Sequence, residues 1–450
     1  MERREFLKAA ALGAAACLLP RQMFGAAAAQ PARKPNIIFI LSDDVGLGDI
    51  GCFGSDHYKT PKIDALAKSG IRFTQCYAEP LCGPSRCEIM TGRYPFRTGM
   101  ISNQSGGVLQ PANEIMMPKV MKPAGYVTAQ VGKWSQLPLQ PSDWGFDEYL
   151  RFKGSGQYWS SSSPTYTQNG ETKTLPEGTY LPDVMHDFLV DFITRHRDDP
   201  FYVYYCMSHI HGQILRTPDS TANSDHYADN IAYMDKLVGK LIAELDKLKL
   251  RDNTLIVFVG DNGTAPPRAD GSTVHGRRLS GQKGSLLEGG SRVPMIVSWP
   301  STTPAGKDAS DLVDFSDFFP TFAELAGAKL PEGVTIDGHS LVPRIKGKNG
   351  EPREWVYVEL GGRWYVRNAG YKLTKAGELF DLKDAPFVEA PIVADTTDAK
   401  AIAAKKRLQE VLDQLNPAAG KQGTPGAAVA PRKARRARKK KGGLGSLLGS

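Results

Sequence analysis

A cysteine two residues ahead of a proline, with an arginine four residues on, is a spacing that could do chemistry. It occurs in the run Cys82-Gly83-Pro84-Ser85-Arg86-Cys87-Glu88-Ile89-Met90-Thr91-Gly92-Arg93. The run predicts a short helix that opens near Cys82, with Pro84 at the first helical position, where its missing N–H costs nothing. The free N–H groups and positive dipole end of such a helix favour an anion. Cys82 would then sit where an anionic substrate is held. Asp43-Asp44 and Asp261-Asn262 offer only oxygen donors. That set suits Ca²⁺ or Mg²⁺ rather than zinc. Arg86, Lys133 and Lys283 would offset the carboxylate charge. They also suit a sulfate or phosphate monoester, whose charge moves onto its outer and leaving oxygens during transfer.

These residues need elements to bring them together. Short apolar, β-branched runs alternate with amphipathic helical stretches, which predicts an α/β fold: a large domain with a mainly parallel, mixed sheet flanked by helices. Strands are expected at Asn36–Leu41, Tyr126–Val131, Phe201–Met207, Thr254–Val259 and Pro294–Ser298. Helices are expected at Pro61–Ser69, Tyr227–Leu248 and Asp314–Ala326, the second from apolar residues spaced three or four apart. In open α/β sheets ligands bind at the carboxyl ends of the strands. Four of the expected strands run into polar groups there: Asp43-Asp44, Asp261-Asn262, Lys133, and His209 with His211. Any one of these is an ordinary turn or cap; four together mark a site. From about residue 348 the pattern changes to short strands at Trp355–Glu359, Arg363–Arg367, Tyr371–Thr374 and Glu378–Asp381, closed by a helix over Asp398–Leu415. This reads as a small antiparallel sheet-and-helix domain, with the catalytic domain over 30–347 and the small one over 348–416.

The ends of the chain carry different messages. Arg3-Arg4 precedes an Ala- and Leu-rich run that is too short for a comfortable membrane span. Residues 1–29 read as a twin-Arg export signal, so the expected location is periplasmic or secreted, reached through the twin-Arg export machinery. The formal net charge of +8 is mostly a tail: residues 417–450 hold nine basic side chains and no acidic one, which leaves 30–416 mildly acidic. That tail has no core-forming residues and reads as disordered, either a solubilising segment or a contact for polyanions. The six cysteines show no zinc spacing, and pairing of Cys52 with Cys76, or of Cys76 with Cys206, stays open.

The Cys82 run resembles the type I sulfatase signature C-x-P-S-R-x-x-x-[LM]-T-G-R. The resemblance extends through NIIFILSDD (36–44), TPKIDALAKSGIRF (60–73), GYVTAQVGKW (125–134), TLIVFVGDNG (254–263), KGSLLEGGSRVPMIVSWP (283–300) and ELFDL (378–382). It implies an alkaline-phosphatase-like fold and a sulfuric ester hydrolase acting on an aryl sulfate or a sulfated carbohydrate. It further implies oxidation of Cys82 to formylglycine by a dedicated maturase, and one Ca²⁺ bound by Asp43, Asp44, Asp261, Asn262 and the modified Cys82. Arg86 would orient the nucleophile. Lys133, His211 and Lys283 would hold the sulfate, with His211 or Lys283 protonating the leaving alcohol.

One departure stands out. The family usually reads G-K-W-H-x-G, and here Ser135-Gln136 follows Trp134. Neither is a base near neutral pH. A neutral hydrogen-bonding substitute, a base from His209 or His275, and an impaired enzyme are the three readings. Two rival functions also stand: a phosphate or phosphonate ester hydrolase on the same fold, and a non-catalytic binder of sulfated glycans. Arg277 and Arg278 are read as either substrate contacts or a solvated loop.

Overall fold

The computed structural model describes residues 33–420. The expected export signal and nearly all of the basic tail lie outside the described residues. Residues 417–420 are an exception to the expected disorder: Pro417–Ala419 form a 3₁₀ turn after the last helix, with Pro417 buried.

The large domain is built on a ten-stranded sheet. In chain order its strands are β1 (Asn36–Ser42), β2 (Ile71–Tyr77), β3 (Val127–Lys133), β4 (Glu148–Phe152), β5 (Thr165–Gln168), β6 (Glu171–Thr174), β7 (Phe201–Cys206) and β8 (Thr254–Gly260). A small hairpin, β9 (Thr273–Val274) with β10 (Arg277–Arg278), pairs apart from it, and β11 (Arg292–Ser298) and β12 (Lys307–Asp314) complete the sheet. The spatial order is β12-β2-β11-β8-β1-β7-β3-β4-β5-β6. The inner strands β8, β1, β7, β3 and β4 are all parallel. β11 runs antiparallel between β2 and β8. The register is level at the carboxyl edge: Ser42 lies opposite Gly260, and Leu41 opposite Cys206.

Strand alternation divides β1 between two cores. Ile38 and Ile40 face one, with helices α1 (Pro61–Lys68), α3 (Leu181–Arg195) and α4 (His226–Lys247). Ile37, Phe39 and Leu41 face the other, with α2 (Cys82–Thr91) and α5 (Phe318–Ala326). Both faces of β1 are covered, which explains its uninterrupted apolar run. Among the described residues no helix is long and apolar enough to cross a membrane.

The helix expected to begin at Asp314 starts at Phe318 instead. Asp314 ends β12, and its carboxylate accepts from Ser316 N at 3.0 Å, so residues 315–317 form a 3₁₀ turn. This is the local side-chain-to-backbone competition that keeps Asp out of helix interiors. The expected strand at Tyr126 begins one residue later.

The small domain has a five-stranded antiparallel sheet, β13 (Val356–Leu360), β14 (Arg363–Arg367), β15 (Tyr371–Thr374), β16 (Leu379–Asp381) and β17 (Ala390–Ile392), backed by α6 (Ala399–Leu415). Its core is not its own. Tyr94 and Phe96, just beyond α2, pack with Tyr357, Trp364, Leu408 and Leu412.

Candidate functional site

The level strand ends bring the chemistry to one edge. Asp43 and Asp44 follow β1, Asp261 and Asn262 follow β8, Lys133 ends β3, and His211 lies in the loop after β7. Backbone bonds tie these ends together: Asp261 N donates to Ser42 O at 2.9 Å, and Asp43 N to His209 O at 2.7 Å. Cys82 reaches the same edge as the first residue of α2, with Leu81 as the cap. Pro84 is therefore the third helical residue rather than the first. The first turn tolerates it, because the N–H groups there have no intrahelical acceptor. Gly83 N is satisfied by Asn103 Oδ1 at 2.8 Å. Sequence reading missed Asn103, since it sits 20 residues from its partner with no motif around it.

Cys82 is fully buried, with Sγ 3.6 Å from Asp43 Oδ1 and 3.8 Å from Asp44 Oδ1. Burial, and then the Asp261 charge, push its thiol well above the usual range, although Lys133 opposes this. Unmodified, the side chain is thus a protonated thiol, a weak nucleophile. Lys133 Nζ lies 2.7 Å from both oxygens of Asp43. Burial would lower the Lys133 pKa, but Asp43 wins and raises it. Lys283 Nζ meets Asp44 Oδ1 at 2.5 Å, and the surrounding negative charge likewise overrides burial to raise its pKa. Arg86 donates to Asp261 Oδ2 through Nη2 at 2.7 Å and Nε at 3.2 Å. His211 Nε2 is 3.9 Å from Asp44 Oδ2, while its Nδ1 lies 2.8 Å from Gly212 O. A carbonyl only accepts, so Nδ1 carries a proton and Nε2 faces the site.

The carboxylate and amide oxygens at this edge suit a hard cation. Ligand atoms of Asp43, Asp44, Cys82 and His211 lie within 4.8 Å of one another. Asn262 donates through Nδ2 to Asp44 Oδ1 and Gly263 O, yet among the described residues its buried Oδ1 has no partner. An oxygen left so beside two carboxylates is suited to Ca²⁺ or Mg²⁺. Gly263 answers a close approach: a Cβ there would lie 1.8 Å from Gly289 O.

The loop carrying Lys283 is clamped by the small domain. Glu288 accepts from Tyr77 Oη at 2.9 Å, Arg367 Nη1 at 2.8 Å and Arg292 Nη1 at 3.2 Å. Burial opposes ionisation of Glu288, but Arg367 and Arg292 hold its pKa below the ordinary value. Lys372 Nζ donates to Leu286 O at 3.2 Å and pairs with Glu389, whose Oε1 accepts from Glu288 N at 2.7 Å.

The replacements for the usual histidine form a neutral set. Ser135 Oγ donates to Gln136 Oε1 at 3.1 Å, and Gln136 Nε2 donates to Ser155 Oγ at 3.2 Å. Gln136 packs close to Gly83, beside Cys82. His209 is poorly placed to act as a base. It is buried, bonded to Tyr180 Oη at 3.0 Å, and burial pulls its pKa down to about 3. His275 lies against Gly54 in the β9–β10 turn. Arg277 and Arg278 are engaged with Asp384 and Asp270 on the surface. All five described cysteines are free, so neither open disulfide pairing forms.

The Sulfatase family model matches residues 35–328. The chain belongs to the sulfatase family. A second family model, N-sulphoglucosamine sulphohydrolase C-terminal, matches residues 282–417 of this sulfatase. Human arylsulfatase A is 32% identical over 399 residues, covering 78% of this chain and 77% of its own. Dog N-acetylgalactosamine-6-sulfatase is 32% identical over 367 residues, covering 73% and 69%. A crystal structure of Ps i-CgsB in complex with k-i-k-neocarrahexaose superposes with a TM-score of 0.73 at 30% identity, covering 85% of this chain and 93% of that one. The sulfatase is thus a sulfuric ester hydrolase with the expected two-domain α/β fold.

Proposed function

We propose that this sulfatase is calcium-dependent, that Cys82 is oxidised to formylglycine by a maturase, and that the substrate is a sulfated carbohydrate. The observation that carries the reading is the meeting of Cys82, Asp43, Asp44 and His211 beside the unpartnered Asn262 Oδ1. Asp43, Asp44, Asp261 and Asn262 would hold the ion, with the modified Cys82 completing its shell. Bound Ca²⁺ would supply positive charge to a sulfate oxygen. Formylglycine would supply a hydrated aldehyde as nucleophile, which splits a hard displacement into two steps.

The chain's own residues do the remainder. Without a cation, the three carboxylates are offset by Arg86, Lys133 and Lys283, so an added Ca²⁺ leaves the site positive and matched to a sulfate ester. Lys133 and Lys283 stand at fixed positions to bind sulfate oxygens, and their raised pKa values keep them charged. Arg86, anchored on Asp261, orients the residue-82 side chain. His211 turns Nε2 toward the leaving alcohol's side of the site, with Nδ1 fixed by Gly212. Ser135, Gln136 and Ser155 serve as the neutral substitute for the missing histidine. Similarity to Ps i-CgsB, whose structure contains neocarrahexaose, supports a carbohydrate substrate. The Arg3-Arg4 segment supports export to the periplasm or beyond.

The test joins mass and rate. Protein from its native host is digested and the Cys82 peptide weighed, while matched aryl sulfate and aryl phosphate are assayed in parallel. An aldehyde at residue 82 with preference for sulfate is expected. An unmodified thiol in fully active enzyme would overturn the mechanism.

A further inference from the structure

A cavity of about 370 Å³ opens directly on Asp44, in the size range of small-ligand sites. Ile210 and Ile214, from the His211 loop, form one wall. Tyr227, Pro267 and Arg268 also line the cavity. Arg268 lies six residues past Asn262, on a turn tied to the reaction site: Thr264 O accepts from Lys283 N at 3.0 Å, and Arg268 N donates to Ala265 O at 3.0 Å. Its guanidinium sits 5.2 Å from the centre of the Tyr227 ring. That ring is fixed in turn. Tyr227 Oη donates to Asp49 Oδ1 at 3.2 Å, and Asp49 also accepts from Thr264 Oγ1 at 2.6 Å and Ser272 Oγ at 2.8 Å. The arginine therefore stands on a rigid platform.

Among the described residues the Arg268 guanidinium makes no hydrogen bond, and its ion pair with Asp225 is long. The side chain is 45% exposed, and among the described residues its one carboxylate neighbour is Asp225, at 3.9 Å, beyond hydrogen-bond reach. A planar fork of free N–H donors matches a carboxylate or sulfate through two parallel bonds. It lines, together with Asp44 of the reaction site, a cavity whose other lining residues are largely apolar. A sugar with its scissile sulfate at Cys82 would extend into this space and present its other substituents to Arg268.

Resting on the carbohydrate reading above, we propose that Arg268 is a specificity residue that binds a second oxyanion, sulfate or carboxylate, on the sugar whose ester is cleaved. Sugars with one sulfate and no other charge would leave the fork unpaired.

The test uses purified, aldehyde-bearing enzyme and three classes of substrate: an aryl monosulfate, neutral sugars with a single sulfate, and the same sugars with a second sulfate or a carboxylate. The wild type is expected to favour a doubly charged sugar, and comparing its two forms shows which oxyanion fits. Arg268→Gln is expected to lower kcat/KM on that substrate by roughly 10- to 100-fold, the scale of a charged hydrogen-bonded pair. The loss should fall mainly on KM, with the aryl monosulfate changed less than about twofold. Arg268→Lys, which keeps the charge without the fork, should recover part of the loss. Equal losses on all substrates, or no wild-type preference for a second anion, would overturn the proposal. Failure to cleave any sugar sulfate, with aryl sulfate still turned over, would instead overturn the carbohydrate reading on which it rests.

Discussion

Two buried ionic clusters lie on either side of the loop that carries Lys283. At the sheet edge, Asp43, Asp44 and Asp261 meet Arg86, Lys133 and Lys283. Between the domains, Glu288 and Glu389 meet Arg367, Arg292 and Lys372. The second cluster is paired throughout: Glu288 gathers two guanidiniums and a tyrosine hydroxyl, and Glu389 pairs with Lys372. The first keeps an unpartnered Asn262 Oδ1 and opens on space at Asp44. Buried networks rigidify when satisfied and are costly when they are not. The difference teaches which cluster clamps and which one works.

The largest effect should come from breaking the working cluster alone. Cys82→Ala should lower aryl sulfate turnover by about 10⁴-fold or more while thermal unfolding changes little. Retained activity would remove Cys82 from the chemistry. Next, chelation should abolish most activity, and added Ca²⁺ should restore it and raise Tm. Binding to the native state alone stabilises by about 2.7 kcal/mol at a hundredfold excess over Kd. A melting curve indifferent to Ca²⁺ would contradict the role given to Asn262. The clamp should respond in the opposite way. Arg367→Met leaves Glu288 short of its partner in the interior and should cost about 3–5 kcal/mol in urea unfolding. The double variant Arg367→Met with Glu288→Gln should recover much of that loss, because no buried charge is stranded.

The smallest effect sits beside the site rather than in it. Burial lowers His209 to a pKa of about 3 and His186 to about 4. The unfolded chain then binds more protons than the native one between those values and the ordinary 6.5, so stability falls as pH drops through that window. His209→Gln should flatten part of this slope, by a few kcal/mol at most. A Tm profile with its slope unchanged between pH 6.5 and 4 would mean that His209 is not neutral in the folded protein.

The sequence was most informative where one element suffices. The β1 and β8 runs are apolar because both faces are covered, and each is followed at once by its oxygen donors. The nine site residues named from sequence do assemble at one edge. The order of the strands was not legible, because β11 pairs with β2 and β8 across more than 200 and more than 30 residues of chain, and such pairing leaves no local mark. Strand β2 and helix α3 carry no chemical motif that draws attention to them, although Phe188, Phe192 and their neighbours have helical spacing. Asn103 and the Glu288 clamp depend wholly on distant partners. Arg268 sits in a Pro-rich turn that gives no hint of the cavity it borders.

The parallel strands also act as a ruler. Each residue of strand advances the chain by about 3.3 Å. A two-residue insertion within β8 would keep every side chain on its proper face, so the core would accept the pattern. It would nonetheless carry Asp261 and Asn262 about 7 Å beyond Asp43. The fold would survive such a change while its cluster of oxygen donors came apart, which makes strand length here a dimension of the catalyst.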